Sequence, residues 1–208
     1  MANTNAPRGL SPIGTIIGGA WNQQGQTFAI ATDASNTYAI GDVVKLAGGS
    51  DAYGVAYVNK AASTDIPVGV IVSFRVADSG VSLQGTNLNL AQLYLGLSAG
   101  LRYAVVATDP NIIYEIETDA TGVAAANVGS NAGMTITADQ TSTLSQSSPL
   151  SSTILVASSI KAQGTSGSLA LPLTIIGVSQ RPDNSVGAYD NVQVIFNRHQ
   201  YKQAQGTA

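Results

Sequence analysis

The residues that could support catalysis are few, and the first of them is His199, the single histidine of the 208-residue chain. A Ser-His-Asp triad needs a histidine that a carboxylate holds inside a concave site. This one lies between Arg198 and Gln200, just after an alternating segment near the C-terminus, and no G-x-S-x-G nucleophile elbow occurs in the sequence. We therefore predict an exposed histidine without a catalytic role.

Three acidic residues at alternate positions, Glu115, Glu117 and Asp119, form the second candidate for chemistry. Carboxylate oxygens can bind Ca²⁺, but the D-x-D-x-D-G loop that usually supplies them is absent. Two carboxylates can also hydrolyse a glycosidic bond, although such pairs usually face each other across a cleft. We predict instead that these acids lie on the solvated face of a strand.

Other chemical signatures are missing from the sequence. Cysteine is absent, and zinc sites draw on several Cys or His ligands. The glycine-rich loops that bind phosphate do not occur. Nine basic residues against twelve acidic ones give a net charge of −3, which lacks the basic footprint of a nucleic-acid-binding protein. We predict a protein that is not an enzyme and has no metal, no cofactor and no nucleic-acid partner.

The segment that must position the acidic residues consists of two β-like runs separated by a turn. The run Arg102–Thr108 is apolar and β-branched, and Asp109-Pro110-Asn111 has the chemistry of a turn. The run Ile112–Thr118 alternates, with Ile112, Tyr114 and Ile116 on one side and the acids on the other. This pattern predicts two neighbouring strands with one apolar face and one acidic, solvated face.

The rest of residues 26–200 predicts an all-β domain of about a dozen short strands, an antiparallel sandwich or barrel. Gly69 within its strand predicts a bulge or a close backbone approach, and Pro172 predicts an edge strand or a bulge. Residues 201–208 are predicted to fray. The further predicted strands lie within Thr27–Leu46 (two strands), Tyr53–Asn59, Ile66–Val76, Thr153–Ala157, Leu169–Val178 and Asn191–Asn197.

Three other segments have less definite patterns. Val81–Leu97 fits either a helical turn or a strand, Gly122–Met134 reads as a loop, and Thr135–Ser152 reads as a polar surface excursion. Gly48–Asp51 has the composition of a turn.

A weak internal repeat is visible in the letters. Ala31-Thr32-Asp33 recurs as Ala107-Thr108-Asp109, with Tyr38 and Ile40 recurring as Tyr114 and Ile116, an offset of 107 − 31 = 76. Gly69-Val70 also resembles Gly177-Val178, at a different offset. We prefer chance as the explanation, and the alternative is two similar β modules joined near residues 81–101.

Residues 1–25 combine two prolines with large apolar side chains. Proline disfavours helix, and so short a stretch cannot form a core of its own. We predict an extended N-terminal arm that lies on a neighbouring subunit; the alternative is a disordered leader that partly covers its own domain. The predicted partner-contact residues of the arm are Leu10, Ile13, Ile16, Ile17 and Trp21.

The surface chemistry fits two kinds of protein equally well, one that works packed against others and a plain secreted or thermally modest β protein. Charged residues are only 10% of the chain, well below the roughly 25% of ordinary soluble domains, so uncharged polar and small side chains must cover the exterior. No apolar run approaches the roughly 20 residues of a membrane span, and the N-terminus makes a poor signal peptide. We expect a protein that is made in the cytoplasm and used there or in a particle assembled there.

Three segments of the sequence together resemble a known family. They are ANTNAPRGLSPIG near the start, YEIETDATGVAAANVGSNAGM in the middle and IGVSQRPDNSVGAYDNVQVIFNRHQY near the end. They resemble small head proteins of tailed bacteriophages, the capsid cement or decoration proteins. The resemblance covers about half of the chain, and Val81–Leu97 and Thr135–Gly167 lie outside it.

This resemblance implies a structural protein of the virion that binds the outside of the head. It implies a homo-oligomer, most often a trimer, that clamps neighbouring major capsid subunits, without catalytic residues. Many copies on one shell make weak single contacts sufficient. The alternatives are a major capsid or tail-tube subunit, and a surface β module that binds or hydrolyses carbohydrate.

Overall fold

A computed structural model describes residues 3–30, 36–75, 94–95, 102–136 and 150–202 of the chain. Nearly all of their regular structure is β, so the predicted all-β class is confirmed. The strands are β1 Ser11–Thr15, β2 Gln26–Ile30, β3 Tyr38–Ala39, β4 Val43–Ser50, β5 Ala56–Lys60, β6 Gly69–Arg75, β7 Tyr94–Leu95, β8 Arg102–Ala107, β9 Ile112–Glu117, β10 Asn131–Thr135, β11 Ile154–Lys161, β12 Leu173–Val178 and β13 Asn191–Phe196. Two one-turn 3₁₀ helices, Ala125–Asn127 and Ser168–Ala170, complete the described elements.

The first barrel is formed by five strands in the closed order β2-β5-β4-β6-β8. The pair β2–β5 is parallel and the other pairs are antiparallel. Its interior contains an apolar cluster of buried side chains, of which the larger ones are Phe28, Ile30, Tyr38, Val58, Ile71 and Phe74.

The second barrel is formed by β9 to β13, which pair in the order β9-β13-β12-β10-β11. The last strand returns to the first, because Thr118 forms a parallel bridge with Leu155. Asp119 strengthens this closure: its backbone N–H donates to the Leu155 carbonyl at 3.0 Å, and its carboxylate accepts from the Ala157 N–H at 2.9 Å. The N-terminal strand β1 is added to the outer edge of β9 as a sixth strand.

The two barrels have the same topology. When the strands of each barrel are numbered in chain order, both follow the closed order first, third, second, fourth, fifth. In both, the first and third strands are parallel and all other neighbours are antiparallel. The chain therefore contains the same five-stranded unit twice.

The register of the strands is also repeated. The residue numbers of equivalent positions in the two barrels differ by a constant within each strand. The difference is 132 − 44 = 88 in the first, second and fifth strands, 155 − 58 = 97 in the third and 173 − 69 = 104 in the fourth. The corresponding cross-strand pairs are Val44–Gly69 with Ala132–Leu173, Ile71–Val106 with Ile175–Val194, Phe28–Ala104 with Ile116–Val192, and Leu46–Val58 with Met134–Leu155.

Irregular details are repeated as well. In both barrels the fourth strand is irregular against the fifth, directly after the equivalent residues Ile71 and Ile175. A glycine with positive φ precedes each second strand, Gly41 at +92° and Gly129 at +88°. Each glycine donates its N–H to the carbonyl of the equivalent isoleucine, at 2.9 and 2.8 Å respectively. Because irregular features seldom coincide by chance, this agreement indicates an internal duplication.

The duplication differs from the repeat suggested by the letters. The offset of 76 aligns Tyr38 of β3 with Tyr114 of β9, whereas the strand equivalent to β9 is β2, so that alignment is wrong. Ala31-Thr32-Asp33 lies outside the described residues. Gly69 and Gly177 do lie on equivalent strands, but they are 177 − 69 = 108 residues apart instead of 104. The chain passes between barrels at residues 108–111, not near residues 81–101.

The connection between the barrels corrects a second expectation. β8 and β9 are not paired neighbours, because β8 belongs to the first barrel and β9 to the second. Asp109-Pro110-Asn111 is a turn, as predicted, since the Asp109 carboxylate accepts from the Asn111 N–H at 2.9 Å. The barrels pack together, because the apolar cluster of the second includes Val43, Val70 and Ala107 of the first.

Several strand limits also differ from prediction. β10 lies at the end of the predicted loop Gly122–Met134, because tertiary pairing overrides its weak β propensity. β4 continues through Ser50, and the turn comes later, where the Asp51 carboxylate accepts from the N–H groups of Tyr53 and Val55. β12, which follows Pro172, is an interior strand between β10 and β13, so the predicted edge position is wrong. The alternative, a bulge, agrees with the shift in its pairing with β13 between Ile175 and Gly177.

Other strand predictions agree with the structure or lie outside it. Gly69 does mark a close backbone approach, since a Cβ there would overlap the Ala107 carbonyl. Most of Val81–Leu97 and of Thr135–Ser152 lies outside the described residues, as does the end of the C-terminal tail. Among the residues described, no helix is long and apolar enough to cross a membrane.

Candidate docking surface

The N-terminal segment lies on its own chain from Asn3 to Ile16. β1 pairs with β9 at Ser11–Glu115 and Thr15–Ile112, and the Ile16 N–H donates to the Asn111 carbonyl at 2.9 Å. Further upstream, the Asn3 side-chain amide donates to two carbonyls of the loop before β13, at 2.7 and 2.9 Å. The prediction of an arm extended over a neighbour is therefore wrong for this stretch. The alternative, a disordered leader that partly covers its own domain, is right about the position of the segment but wrong about its order, because Ser11–Thr15 forms strand β1.

The acidic row is consequently not a solvated face. Glu115 is 7% exposed and Glu117 only 2%. Arg8 and Arg181 both bind one carboxylate oxygen of Glu115, at 2.6 and 2.7 Å, and Glu117 accepts the Ala6 N–H at 3.0 Å. These acids anchor the N-terminal segment, which explains why a charged row tolerates burial.

The pKa of Glu117 reflects its burial beneath the N-terminal segment. Burial raises the pKa of the Glu117 carboxyl, while the Ala6 N–H and the Arg8 guanidinium favour the ionised form and limit the rise. No group of three or more His, Cys, Asp or Glu side chains with metal-binding geometry occurs among the described residues. The hydrolytic alternative, which depended on an accessible acidic row, loses its basis.

Leu10 is the clearest correction among the predicted contact residues. Its side chain is 1% exposed and belongs to the core of the second barrel. The Leu10 N–H donates to the Gly41 carbonyl at 3.0 Å, and Gly9 with a φ of +71° lies so close to Gly41 that a Cβ would overlap that carbonyl. Leu10 therefore fixes the segment to its own domain and is inaccessible to a partner.

Beyond β1 the chain reverses in a tight turn whose tip is apolar. The Gly18 N–H donates to the Thr15 carbonyl at 2.9 Å, and the Thr15 N–H donates to the Gly19 carbonyl at 2.9 Å. Ile13 is 40% exposed, Ile16 50% and Ile17 91%. Turns usually carry Gly, Asn, Asp or Pro, so isoleucines at this position are unusual. We call Ile13, Ile16 and Ile17 the isoleucine tip.

Trp21, the fifth predicted contact residue, lies at the base of the same hairpin. It is partly buried against the core of the second barrel and lines a groove of about 1070 Å³ between the hairpin and the first barrel. Arg75 and Asp109 are the charged side chains on the described walls of this groove. The other lining residues are uncharged and include Pro12, Gln23, Gln24, Gly25, Gln26, Val72 and Tyr201.

His199 is buried, contrary to prediction. It is 2% exposed, and its ring lies 6.1 Å from that of Phe196 and 5.9 Å from that of Tyr201. Its Nδ1 accepts the Tyr201 N–H at 3.1 Å, whereas a triad histidine is held by a carboxylate. The following residue, Gln200, donates its N–H to Pro67 and accepts from Leu46, which draws this segment onto the first barrel.

A second buried polar cluster connects the segment before β4, the end of β5 and Ser151, which precedes β11. Lys60 Nζ is 2.8 Å from an Asp42 carboxylate oxygen, and both side chains are almost fully buried. The Ser151 hydroxyl donates to the other Asp42 oxygen at 2.5 Å, and the Ala39 N–H donates to Asp42 at 2.8 Å. Because solvent does not reach this cluster, its arrangement is that of a structural ion pair.

Among the described residues, we take the isoleucine tip and the groove as the candidate docking surface. Ile13, Ile16, Ile17 and Trp21 were predicted as contact residues from the sequence, whereas the groove walls were not, because they come from distant segments. No protein-family model, no curated protein and no solved structure matches this chain. The functional argument therefore depends on this surface and on the resemblance of the three sequence segments.

Proposed function

We propose that this chain is a structural, non-enzymatic protein of a tailed-bacteriophage virion. In this proposal it binds the outer surface of the head and clamps neighbouring major capsid subunits. The observation that carries the proposal is the isoleucine tip, with Ile17 exposed at 91% at the end of a hydrogen-bonded hairpin. The resemblance to capsid cement proteins and the low content of charged residues support the same function.

The tip has the properties of an anchor. Burying one isoleucine side chain contributes about 1.5–3 kcal/mol, so exposure of such side chains is unfavourable until a partner covers them. β1, which leads into the tip, is fixed to β9, and the Ile16 N–H binds Asn111. A preorganised anchor loses little conformational entropy on binding.

The proposed assembly is a homotrimer that contacts the major capsid protein. The resemblance supports the trimer, and the nearly uncharged exterior suits large contact areas between copies and shell. A modest affinity of each contact would then be sufficient, because several contacts made by one assembly raise its overall avidity for the shell. Sedimentation of the purified chain would measure its oligomeric state directly.

Substitution of the tip tests the proposal. We expect Ile17→Asp to lower the affinity for isolated heads by about tenfold or more, since a charge would be buried in place of an apolar anchor. Because Ile17 is 91% exposed, the free energy of unfolding should change by less than about 0.5 kcal/mol. The measurement is co-sedimentation of the chain with heads that lack it.

The matched control is Leu169→Asp, which changes another exposed large apolar residue, 74% accessible, in the second barrel. It should leave head binding unchanged. Equal binding by wild type, Ile17→Asp and the control would refute the role of the tip. Failure of the wild-type chain to bind heads would refute the proposed function.

A further inference from the structure

The internal duplication shows where the two barrels differ. In the second barrel, β1 covers the outer edge of β9 along residues 112–115. The constant offset of 88 for the first strands makes residues 24–27, from Gln24 to Thr27, the equivalent edge of the first barrel. In the part of the chain that the structure describes, this stretch carries no added strand, whereas the equivalent edge of the second barrel carries β1.

The edge at residues 24–27 offers backbone groups for pairing. β2 pairs with β8 from Gln26 to Ile30, but it pairs with β5 only at Ala29 and Ile30. After β9, the Thr118 N–H donates to the Asp190 carbonyl on the β13 side. Backbone groups of successive residues in a strand point to alternate sides, so the N–H and carbonyl of Glu115, three residues earlier, point to β1. By the same alternation, the Thr27 N–H and carbonyl face outwards from the first barrel.

One extended segment occupies this edge in the second barrel. Gln24, Gly25 and Gln26 of the first barrel line the groove together with Pro12 and Trp21 of the hairpin, and the groove continues over β8 and β6, where Val105 and Val72 line it. The strand that occupies the equivalent position on β9 is Ser-Pro-Ile-Gly-Thr, which is uncharged.

We propose that the first barrel binds an extended, uncharged segment of the shell subunit as an added strand. The segment would lie antiparallel to β2 along Gln24–Thr27, as β1 lies on β9, with apolar side chains against Trp21. This inference rests on the proposed function and names how the partner is bound, namely by β-strand addition to an open edge. The isoleucine tip and the bound strand then form two separate contacts.

Photo-crosslinking from the edge tests the inference. The chain contains no cysteine, so Gln24→Cys gives one attachment point for a benzophenone maleimide. The labelled chain is bound to isolated heads, irradiated and digested, and the crosslinked peptides are identified by mass spectrometry. The matched control is Gln163→Cys, which changes the same residue type in an exposed turn of the second barrel.

The expected result is a crosslink from position 24 to a segment of the shell subunit, and none to it from position 163. A crosslink only to a second copy, or to another part of the same chain, would overturn the inference. Bound chain without any crosslink from position 24 would also overturn it while leaving the proposed function intact. Absence of binding by the unlabelled wild-type chain would refute the proposed function itself, and the inference with it.

Removal of one backbone donor gives a second readout. Thr27→Pro deletes the outward N–H, and proline is tolerated on edge strands at such positions; Pro12 of β1 is a precedent in this chain. We expect head affinity to fall about tenfold or more. Thr27→Val keeps the N–H and should bind normally. Equal affinity of a folded Thr27→Pro variant would contradict the inference, and if this variant does not fold, the crosslinking decides.

Discussion

At the scale of single residues, the buried polar groups of this chain serve the fold. Glu115 is held by two arginines, and Asp42 is held by Lys60, Ser151 and a backbone amide. Removing one partner of a fully buried pair typically costs about 3–5 kcal/mol, because the other charge is left without compensation. Such residues would appear important in a mutational screen because of their contribution to stability.

His199 should make stability depend on pH. Burial lowers the pKa of its imidazole, which the nearby Lys202 also favours, while the Val68 backbone and Asp109 act in the opposite direction. Because the folded pKa lies below the unfolded value of 6.5, stability is fully present above pH 6.5 and falls as the pH decreases through the folded pKa. The loss is at most about 1.4 kcal/mol per pH unit.

Urea denaturation of wild type and His199→Gln at pH 7.5 and 5.5 measures this contribution. Glutamine can still accept the Tyr201 N–H, so the variant removes the titration while keeping an acceptor. We expect the free energy of unfolding to fall with pH more steeply in wild type than in the variant. Identical pH dependence in the two proteins would show that His199 does not contribute.

At the scale of elements, the hairpin has two functions that must be separated. Residues 3–16 complete the second barrel by covering the edge of β9 and burying Leu10, whereas the isoleucine tip faces solvent. A deletion of the whole segment would therefore combine a folding defect with a binding defect. Substitution at the tip is the cleaner test of function.

Deletion of residues 1–16 should lower the free energy of unfolding by several kcal/mol. Loss of a buried leucine alone costs about 2–5 kcal/mol, and the carboxylates of Glu115 and Glu117 would lose partners at Arg8 and Ala6. Chemical denaturation measures the change, and a double substitution of Ile16 and Ile17 by serine is the control that keeps the segment. Equal stability of the deletion variant and wild type would contradict the position of this segment.

At the scale of the whole molecule, the sequence predicts the class of fold better than its arrangement. Alternation in Asn191–Phe196 and Ile112–Glu117 identifies strands directly, because one face of each lies in a core. The duplication was not recognised from the amino-acid sequence, because it is maintained by backbone hydrogen bonds, which can form with many different side chains at the same positions. Burial of Glu115 was likewise unpredictable, since its partners Arg8 and Arg181 are distant in sequence.

The candidate docking surface was likewise only partly predictable from the sequence. The large apolar residues of a proline-containing segment stand out in the sequence, and Ile16 and Ile17 are exposed as expected of contact residues. Leu10, three residues before Ile13, has similar chemistry but is buried, because only the tertiary structure decides which side of the segment faces the core. The open edge of β2 becomes recognisable only by comparison with β9.

The molecule has two similar barrels. The second is completed by the N-terminal segment of the chain, and the first has an edge that carries no added strand among the described residues. This edge and the isoleucine tip give the proposed structural protein two contacts, one on the first barrel and one on the hairpin. Fastening of a shell requires such bivalent attachment, because a single contact cannot connect two subunits.

Electron cryomicroscopy of the native head is the decisive measurement for the proposed function. We expect the chain on the outer surface of the shell, with the isoleucine tip buried against a major capsid subunit. A head whose shell lacks this chain would refute the proposed function, and a bound chain whose tip faces solvent would refute the role of the tip.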